Sequence, residues 1–448
     1  MVQIAIETPA RKGEPVGHRI KVVALSAVLA LLTAACQGGG GGGGEGGQAD
    51  RLVIAAVQGN ESLGIKNLAD DYREETGVTL QIEELPYPQL FEKLVTTFEA
   101  NEPTYDLVML DDPWMPKFGT EGWLQPLDSN YGFERDPDIA EVIYEVGTWP
   151  PPRGPVPPSE QGKEQHLLGI TVVGNVEMFM YRNDLMDEPA SWDDVLAAAK
   201  ENHSDNLAGY AIRGAATNPI VADFLPILWS FGGDVFDENW EVVFDSPESL
   251  AAVEFLVEDL KAVAESSPQN VDAADRSRLM AIGEALQSTV WPGEVNAIVL
   301  GEGTTVEGNV SFIPMPAGPS GQGFGMMGNW LLGIPTAAEN GQAAADFIQW
   351  MTEEDTQRLY AENDGIPSRT SVLNDAELNE ANPYFAALAE SLQAPPNWRP
   401  RTDQWNSVET VLGTNLNAAL AGQMSAEEAV QSASEEIRTI MEQAGYYE

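Results

Sequence analysis

The sequence predicts an α/β protein built on a mainly parallel sheet flanked by helices. Three apolar or alternating runs are typical of strands, at residues 52–57, 78–85 and 106–110. Two segments with helical spacing of apolar residues separate them, at residues 68–76 and 89–100. This β-α-β-α-β order predicts parallel strands joined by helical crossovers. With 448 residues, the chain is long enough for two or three domains with ample cores.

The charge balance limits the possible partners. The chain has 70 acidic and 23 basic residues, which gives a formal net charge of -47. Such a charge excludes nucleic acid and an anionic membrane surface as binding partners. Only 8 of the basic residues are lysines. An acidic, lysine-poor surface suits work in high salt, because salt screens the repulsion between the acids.

The first 49 residues have the pattern of an export signal followed by a tether. Residues 1–35 form a signal peptide with basic residues at its start and an apolar stretch, 22–32, too short to cross a bilayer. Leu-Thr-Ala-Ala before Cys36 resembles a bacterial lipobox, in which the cysteine is acylated after cleavage. The alternative is a plain secretory signal with an incidental cysteine. The glycine-rich segment 36–49 is expected to act as a flexible leash that holds an exported protein at the membrane by its lipid only.

The strand at residues 106–110 is where the argument for a binding site begins. Asp111, Asp112 and Trp114 follow it, and ligands of open α/β sheets bind outside the carboxyl ends of strands. Carboxylates accept hydrogen bonds from hydroxyl groups, and an indole packs against the C–H face of a polyhydroxylated ring. The three residues therefore suit a polyhydroxylated molecule. Alternatively, the two aspartates cap the next helix. The two roles are compatible.

Seven stretches together resemble a known family. They are residues 104–128, 167–186, 188–200, 229–236 (WSFGGDVF), 280–293 (ending in VWPG), 312–316 with 328–335 (FIPMP and GNWLLGIP), and 344–369. In this order they resemble the sugar-type extracellular solute-binding proteins of bacterial and archaeal ABC importers, the maltodextrin-binding-protein-like group. The chain departs from the family in its acidity and in the proline-rich segment 149–158, which predicts a rigid exposed loop.

The resemblance implies a two-lobed periplasmic-binding-protein-like fold with a ligand cleft between lobes, each lobe being a mainly parallel sheet flanked by helices. The first lobe is expected to be residues 50–172 plus 317–352, and the second 173–316 plus 353–448. Closure about a hinge would then present the loaded protein, as a monomer, to ABC permease subunits.

The resemblance also supplies candidate ligand contacts. Trp291, Asn329, Trp330 and Trp405 resemble cleft-facing positions of the family, although each tryptophan could instead fill a core. Arg369 could bind a hydroxyl or pair with one of the many acids. Glu61 and Asn175 lie just after strands and could exchange hydrogen bonds with hydroxyls. The full set of expected ligand-binding residues is Glu61, Asp111, Asp112, Trp114, Asn175, Trp291, Asn329, Trp330, Arg369 and Trp405.

These residues favour a binding protein over an enzyme, and no catalytic residue, cofactor or metal is expected. A glycosidase needs two opposed carboxylates, whereas the side chains of adjacent Asp111 and Asp112 diverge. A carboxylate pair from distant segments stays possible, as does a non-sugar solute such as a polyamine or peptide. Asn175, Asn329 and Arg369 beside the acids favour a sugar or polyol. The sequence does not identify which solute it is.

Overall fold

The strands and helices follow the predicted α/β order in a computed structural model that describes residues 49–394 and 397–447. The strands are β1 (Arg51–Val57), β2 (Thr79–Leu85), β3 (Leu107–Asp111), β4 (Thr148–Trp149), β5 (His166–Leu167), β6 (Ile170–Val173), β7 (Met178–Tyr181), β8 (Gln287–Val290), β9 (Ser311–Ile313) and β10 (Trp330–Gly333). The predicted signal peptide, the predicted acylation site Cys36 and nearly all of the predicted tether lie outside the described residues.

The helices surround a five-stranded and a three-stranded sheet, and β4 and β5 pair in a separate two-stranded sheet. They are α1 (Leu63–Asn67), α2 (Ala69–Thr76), α3 (Tyr87–Glu99), α4 (Met115–Thr120), α5 (Leu127–Tyr131), α6 (Glu141–Gly147), α7 (Trp192–Asn202), α8 (Asn218–Phe231), α9 (Pro247–Glu254), α10 (Ala273–Ala281), α11 (Pro292–Val299), α12 (Gly341–Thr352), α13 (Glu354–Glu362), α14 (Thr370–Leu373), α15 (Ala376–Ala381), α16 (Phe385–Gln393), α17 (Trp405–Leu420) and α18 (Ala426–Gln443). Within residues 49–394 and 397–447, no helix combines the length and the apolar character needed to cross a membrane.

Local signals fix many of these ends. Gly77 ends α2 in the left-handed conformation, with a φ of 79°. Ser191 caps α7, Ser246 caps α9 with Pro247 as its first residue, and Ser425 forms a capping box at the start of α18 with Glu428.

The first lobe is organised by a five-stranded sheet of order β2-β1-β3-β10-β6. β1 is parallel to β2 and β3, as the crossover pattern predicts. β10 enters from much later in the chain and is antiparallel to β3 and β6, with Trp330 opposite Asp111. The sequence-distant Trp330 is therefore fixed beside the carboxyl end of β3.

The second lobe departs from the prediction of a mainly parallel sheet. Its strands, in the order β8-β7-β9, all pair antiparallel. Among the described residues, parallel pairing in this lobe is limited to isolated bridges, namely Ser191–Ala317, Ala208–Ala285 and Tyr210–Ala264. The physical reason is chain direction: β7 runs away from the interlobe gap after Asn175, whereas β8 runs back toward it and ends before Trp291. The two-lobed α/β fold itself is confirmed.

Three extended segments cross between the lobes side by side. Val176 bridges Met327 antiparallel, and Met326 bridges Asn397 parallel. The backbone N–H of Gly328 also donates to the carbonyl of Asn175 at 2.9 Å. These contacts join the crossing segments into a small ribbon that forms the back of the gap.

The apolar side chains form two clusters that match the lobes only in part. The cluster around the first sheet extends through α13 to α16, whereas α17 and α18 pack with α7, α8 and α9 in the other cluster. α13 contacts α1 and α12 of the first lobe, and α16 contacts β7 and β9. α13 thus packs with first-lobe helices and α16 with second-lobe strands, and the expected lobe boundary at residue 353 stays a prediction.

The proline-rich segment 149–158 is less exposed than the sequence predicts. Trp149, Pro150, Pro151 and Pro157 are buried, whereas Arg153, Gly154 and Pro158 are exposed. The prediction of an exposed loop was wrong for the four buried residues, because they pack as apolar surface.

Candidate functional site

A cavity of about 130 Å³ lies where the two lobes and the crossing segments meet. The carboxyl ends of β1 and β3, the starts of α8, α10 and α11, and all three crossing segments contribute to its walls. It is lined by Glu61, Tyr87, Asp111, Asn175, Arg213, Asn218, Ala222, Ala273, Trp291, Glu294, Gly328, Trp330 and Arg399.

Five of the expected ligand-binding residues line this cavity together. Glu61, Asp111 and Trp330 come from the first lobe, Asn175 from a crossing segment, and Trp291 from the second lobe. They are brought together from separate parts of the sequence, so that two indoles, two carboxyl groups and an amide share one space.

Asp111 is held in place from several directions. It accepts from both Arg399 guanidinium NH2 groups at 3.2 and 3.3 Å, and from the Tyr87 hydroxyl at 2.9 Å. It also caps the turn that follows by accepting from the backbone N–H of Asp112 at 3.0 Å, as the alternative prediction required. Burial raises the pKa of Asp111, and Arg399 opposes this rise.

Asp112 and Asn329 support the cavity from behind and do not line it. The backbone N–H of Asn329 donates to the Asp112 carboxylate at 3.0 Å, and the Asn329 side-chain oxygen accepts from the backbone N–H of Asn175 at 2.8 Å. Burial raises the pKa of Asp112 to about 7, against the opposing charge of Arg399. Both residues therefore position the crossing segment that carries Asn175.

Trp114 and Trp405 are core residues in the structure, each with 1% of its surface exposed. Trp114 packs against Tyr87 and Trp330, with ring centroids 5.0 and 5.6 Å apart. Trp405 starts α17, whose buried face places the indole in the second core, and its N–H donates to Glu409 at 3.2 Å. Neither indole reaches the cavity, so both expected contacts are corrected to supporting positions.

Arg369 lies elsewhere in the first lobe. Its guanidinium pairs with Asp136 at 2.6 Å and Asp138 at 3.2 Å, and its Nε donates to the Thr352 carbonyl at 2.7 Å. The ion-pair alternative of the sequence analysis is therefore the one observed, and Arg369 does not line the cavity.

Trp291 follows β8, and its ring packs against Gly328 of a crossing segment. It precedes α11 directly, so the Trp-Pro-Gly sequence starts a helix and is not a loop. A side chain at Gly328 would overlap the Trp291 ring, and only glycine leaves room for the indole there. Glu294 accepts from the Trp291 backbone N–H at 3.0 Å and pairs with buried Arg276.

The second-lobe wall rests on a buried charge network. Arg276 pairs with Asp223 and Glu294 and donates to Thr289 at 2.8 Å. Glu177 is fully buried, 4.0 Å from Arg276, and burial raises its pKa well above the usual range. A neutral Glu177 leaves Arg276 balanced by its two closer partners.

Sequence reasoning missed several lining residues, among them Tyr87, Arg213, Asn218, Glu294 and Arg399. The available signal for Arg399 was the pair of arginines in a short proline-rich stretch, because buried acids require such partners. The other missed residues lie on helices or loops, and no local sequence pattern indicates that they line the cavity.

The cavity combines groups that recognise hydroxyls. Asn175 is 4% exposed, and its side-chain oxygen has no hydrogen-bond partner within residues 49–394 and 397–447. Trp291 and Trp330 offer apolar surface for C–H groups. In the same described ranges, no group of His, Cys, Asp or Glu side chains is arranged to hold a metal ion.

The chain is similar to several known binding proteins. The chain is 24% identical to a probable amino-acid ABC transporter periplasmic-binding protein of Sinorhizobium fredii, covering 84% of this chain and 86% of the relative. It is 24% identical to the mannitol-binding protein of Pseudomonas aeruginosa, covering 89% and 94%. Maltose-bound T. maritima MalE3 superimposes with a TM-score of 0.76 at 26% identity, covering 87% of this chain and 99% of that one. A family model described as bacterial extracellular solute-binding protein matches residues 57–358, and the chain belongs to that family.

Proposed function

We propose that this protein captures a carbohydrate, meaning a sugar or polyol, between its lobes and delivers it to an ABC permease. The observation that carries the proposal is the convergence of Trp291, Trp330, Asn175, Asp111 and Glu61 on one cavity. The names of two similar proteins, which refer to mannitol and maltose, support the same class of solute.

Closure about the crossing segments would couple binding to delivery. The cavity walls come from both lobes, so a bound solute stabilises the arrangement in which the lobes meet. Permease subunits would recognise that arrangement, and the binding protein would act as a monomer.

The ion pairs of the carboxylates that line the cavity favour binding without catalysis. Of the three carboxylates that line it, Asp111 is paired with Arg399 and Glu294 with Arg276. Glycoside hydrolysis requires two carboxyl groups free to act as acid and base or nucleophile. We expect no product when the protein is incubated with an oligosaccharide.

The test of the proposed function is calorimetric titration against mannitol, ribitol, glucose, maltose, spermidine and a panel of amino acids. Binding of at least one sugar or polyol, with no comparable binding of spermidine or amino acids, is expected. Binding of spermidine or an amino acid alone would overturn the proposal in favour of a non-sugar importer, which the name of the S. fredii relative suggests for that protein.

We also propose that the exported protein is anchored through acylated Cys36, since this is the one cysteine in the chain and it follows an apolar signal. The Cys36→Ser variant, expressed in a bacterium with a lipoprotein pathway, is expected to leave the membrane fraction. Retention of the variant in that fraction would contradict a lipid anchor.

A further inference from the structure

We infer that the solute is a single small uncharged molecule, an acyclic polyol or monosaccharide, and that oligosaccharides and sugar acids are excluded. This inference rests on the proposed function and narrows it. Three observations support this inference: the volume of the cavity, the contacts that close the gap beside it, and the ion pairs of the cavity arginines.

The volume of the cavity fits one short carbon chain or one ring. A water-sized group needs about 10–15 Å³ on this measure, so a cavity of about 130 Å³ holds roughly ten such groups. A pentitol or a hexose has about that many nonhydrogen atoms, whereas a disaccharide has about twice as many.

The gap is closed beside the cavity, so the solute has no room to extend there. The Asn60 side chain of the first lobe donates to the Gly293 carbonyl of the second at 2.6 Å. These residues are direct neighbours of Glu61 and Glu294 in the cavity wall. Further along the same edge, the Asn296 side chain donates to Asp364 at 3.2 Å. A second sugar unit would have to break these interlobe bonds.

The charges of the cavity disfavour an anionic solute. Arg399 pairs with Asp111 at 3.2 Å and Asp112 at 3.4 Å, so its guanidinium already faces two acids. Arg213 pairs with Asp223 at 3.5 Å and Asp272 at 3.2 Å. Both cavity arginines are therefore committed, and a ligand carboxylate would find no free cation among the described lining residues.

Glu61 strengthens this discrimination. Its carboxyl group lines the cavity without an ion pair in the described part of the chain. Burial raises its pKa because desolvation disfavours its charged form, and the nearby carboxyl groups of Glu294 and Asp111 raise it further. A hydroxyl can donate to this group, whereas a ligand carboxylate is repelled by it once it is ionised.

The experiment compares ligands that differ in size or in charge alone. Titration with erythritol, ribitol, mannitol, sorbitol, glucose, maltose and maltotriose identifies the preferred size. The best alditol is then compared with its aldonate, in which a carboxylate replaces one terminal CH2OH. We expect a four- to six-carbon solute to bind best, and the alditol to bind at least about tenfold more tightly than its aldonate.

A substitution tests the charge argument at pH 8, where the Glu61 carboxyl group is more fully ionised. Glu61→Gln keeps the shape of the side chain and removes the charge, so the ratio of aldonate to alditol dissociation constants should fall severalfold. Glu99→Gln, on an exposed end of α3, is the matched control and should leave the ratio unchanged.

The outcomes separate this inference from the function it rests on. Tighter binding of maltose or maltotriose than of any small solute would overturn the inference and leave carbohydrate capture standing. Equal binding of alditol and aldonate, or an unchanged ratio in Glu61→Gln, would overturn the charge argument. Failure of every sugar and polyol to bind would overturn the proposed function itself.

Discussion

Trp291 shows how one backbone position can fix the placement of a side chain that lines the cavity. The indole lies against Gly328, where any side chain would occupy the space of the ring. Glu294, the third residue of α11, accepts from the Trp291 backbone N–H and is itself paired with Arg276. The ring is thus fixed in the absence of a ligand, which would limit the entropy lost on the binding proposed here.

Replacing Trp291 by Ala should weaken binding of the solute by about 1–3 kcal/mol, on the scale of losing one aromatic anchor. The thermal midpoint should change little, because Trp291 is only partly buried. Titration calorimetry and thermal melting measure the two effects. Trp291→Phe, which keeps a ring, is the control and should retain most of the affinity. Unchanged affinity in Trp291→Ala would place the indole outside the binding surface.

The pKa of Asp112 predicts a dependence of stability on pH. Burial raises this pKa to about 7 in the folded protein, from an ordinary value of 3.8. The folded state therefore holds the proton more tightly, and the stability that protonated Asp112 contributes is present below about pH 4 and lost as pH rises through 7.

Asp112→Asn removes this titration, so its destabilisation relative to the wild type should be smaller at pH 7 than at pH 4. Denaturant unfolding at the two pH values measures the difference. Asp205→Asn, at an exposed position of the second lobe, is the control and should show no such change. An equal destabilisation at both pH values would mean that Asp112 is ionised throughout.

At the scale of elements, the sequence predicted what neighbouring residues determine. Strand runs, the amphipathic helix α3 and the caps at Ser191, Ser246 and Ser425 all follow from local spacing and side-chain hydrogen bonds. The pairing of elements distant in sequence has no local signature. β10 entering antiparallel beside β3 and the antiparallel second sheet both depend on where the chain returns.

The site, like the fold, was predictable only where neighbouring residues in the sequence determine the position of a side chain. Residues directly after strands, such as Glu61, Asp111 and Asn175, lie at the cavity because strand ends meet there. Arg399 reaches Asp111 across 288 residues, and Arg369 reaches its aspartates across more than 200. Tertiary packing determines which arginine pairs with the acids of the cavity. Sequence spacing carries no signal for this pairing.

The loop at residues 149–158 contacts segments that are distant from one another in the sequence. Arg153 pairs with Glu145 at 2.9 Å and lies 4.0 Å from the ring centroid of Trp398, beside a crossing segment. The Trp240 indole of the second lobe donates to the Val156 carbonyl at 3.2 Å. The loop therefore contacts both the crossing segment and the opposite lobe in the observed arrangement.

Arg153→Ala should weaken solute binding by a few fold without touching the cavity, because the closed arrangement loses a cation–π contact of about 0.5–1 kcal/mol. Titration with the preferred solute measures the loss. Arg135→Ala is the matched control, since Arg135 also pairs with a glutamate and lies over a tyrosine ring, but within the first lobe. Equal affinities in both variants would mean that the loop does not contribute to closure.

The whole molecule must accommodate a net charge of -47. Three of its arginines, Arg276, Arg399 and Arg401, are buried beside acids or backbone carbonyls and do not offset charge at the surface. Burial lowers the pKa of Arg401 to about 10, which leaves it charged at neutral pH. The surface acids are consequently left with few cations, and their mutual repulsion opposes the folded state.

Salt should therefore stabilise this protein. The screening length falls from about 10 Å at 0.1 M to about 3 Å at 1 M, which removes repulsion between surface acids but barely affects buried pairs such as Arg399 with Asp111. We expect the thermal midpoint to rise by several degrees between low and molar sodium chloride. Sodium chloride is preferred to a sulfate, because sulfate also strengthens apolar burial. Sucrose of equal osmolarity controls for exclusion of solute from the surface. A midpoint that is the same with and without molar sodium chloride would show that repulsion among the acids costs the folded state little, and the acidic surface would then need another explanation.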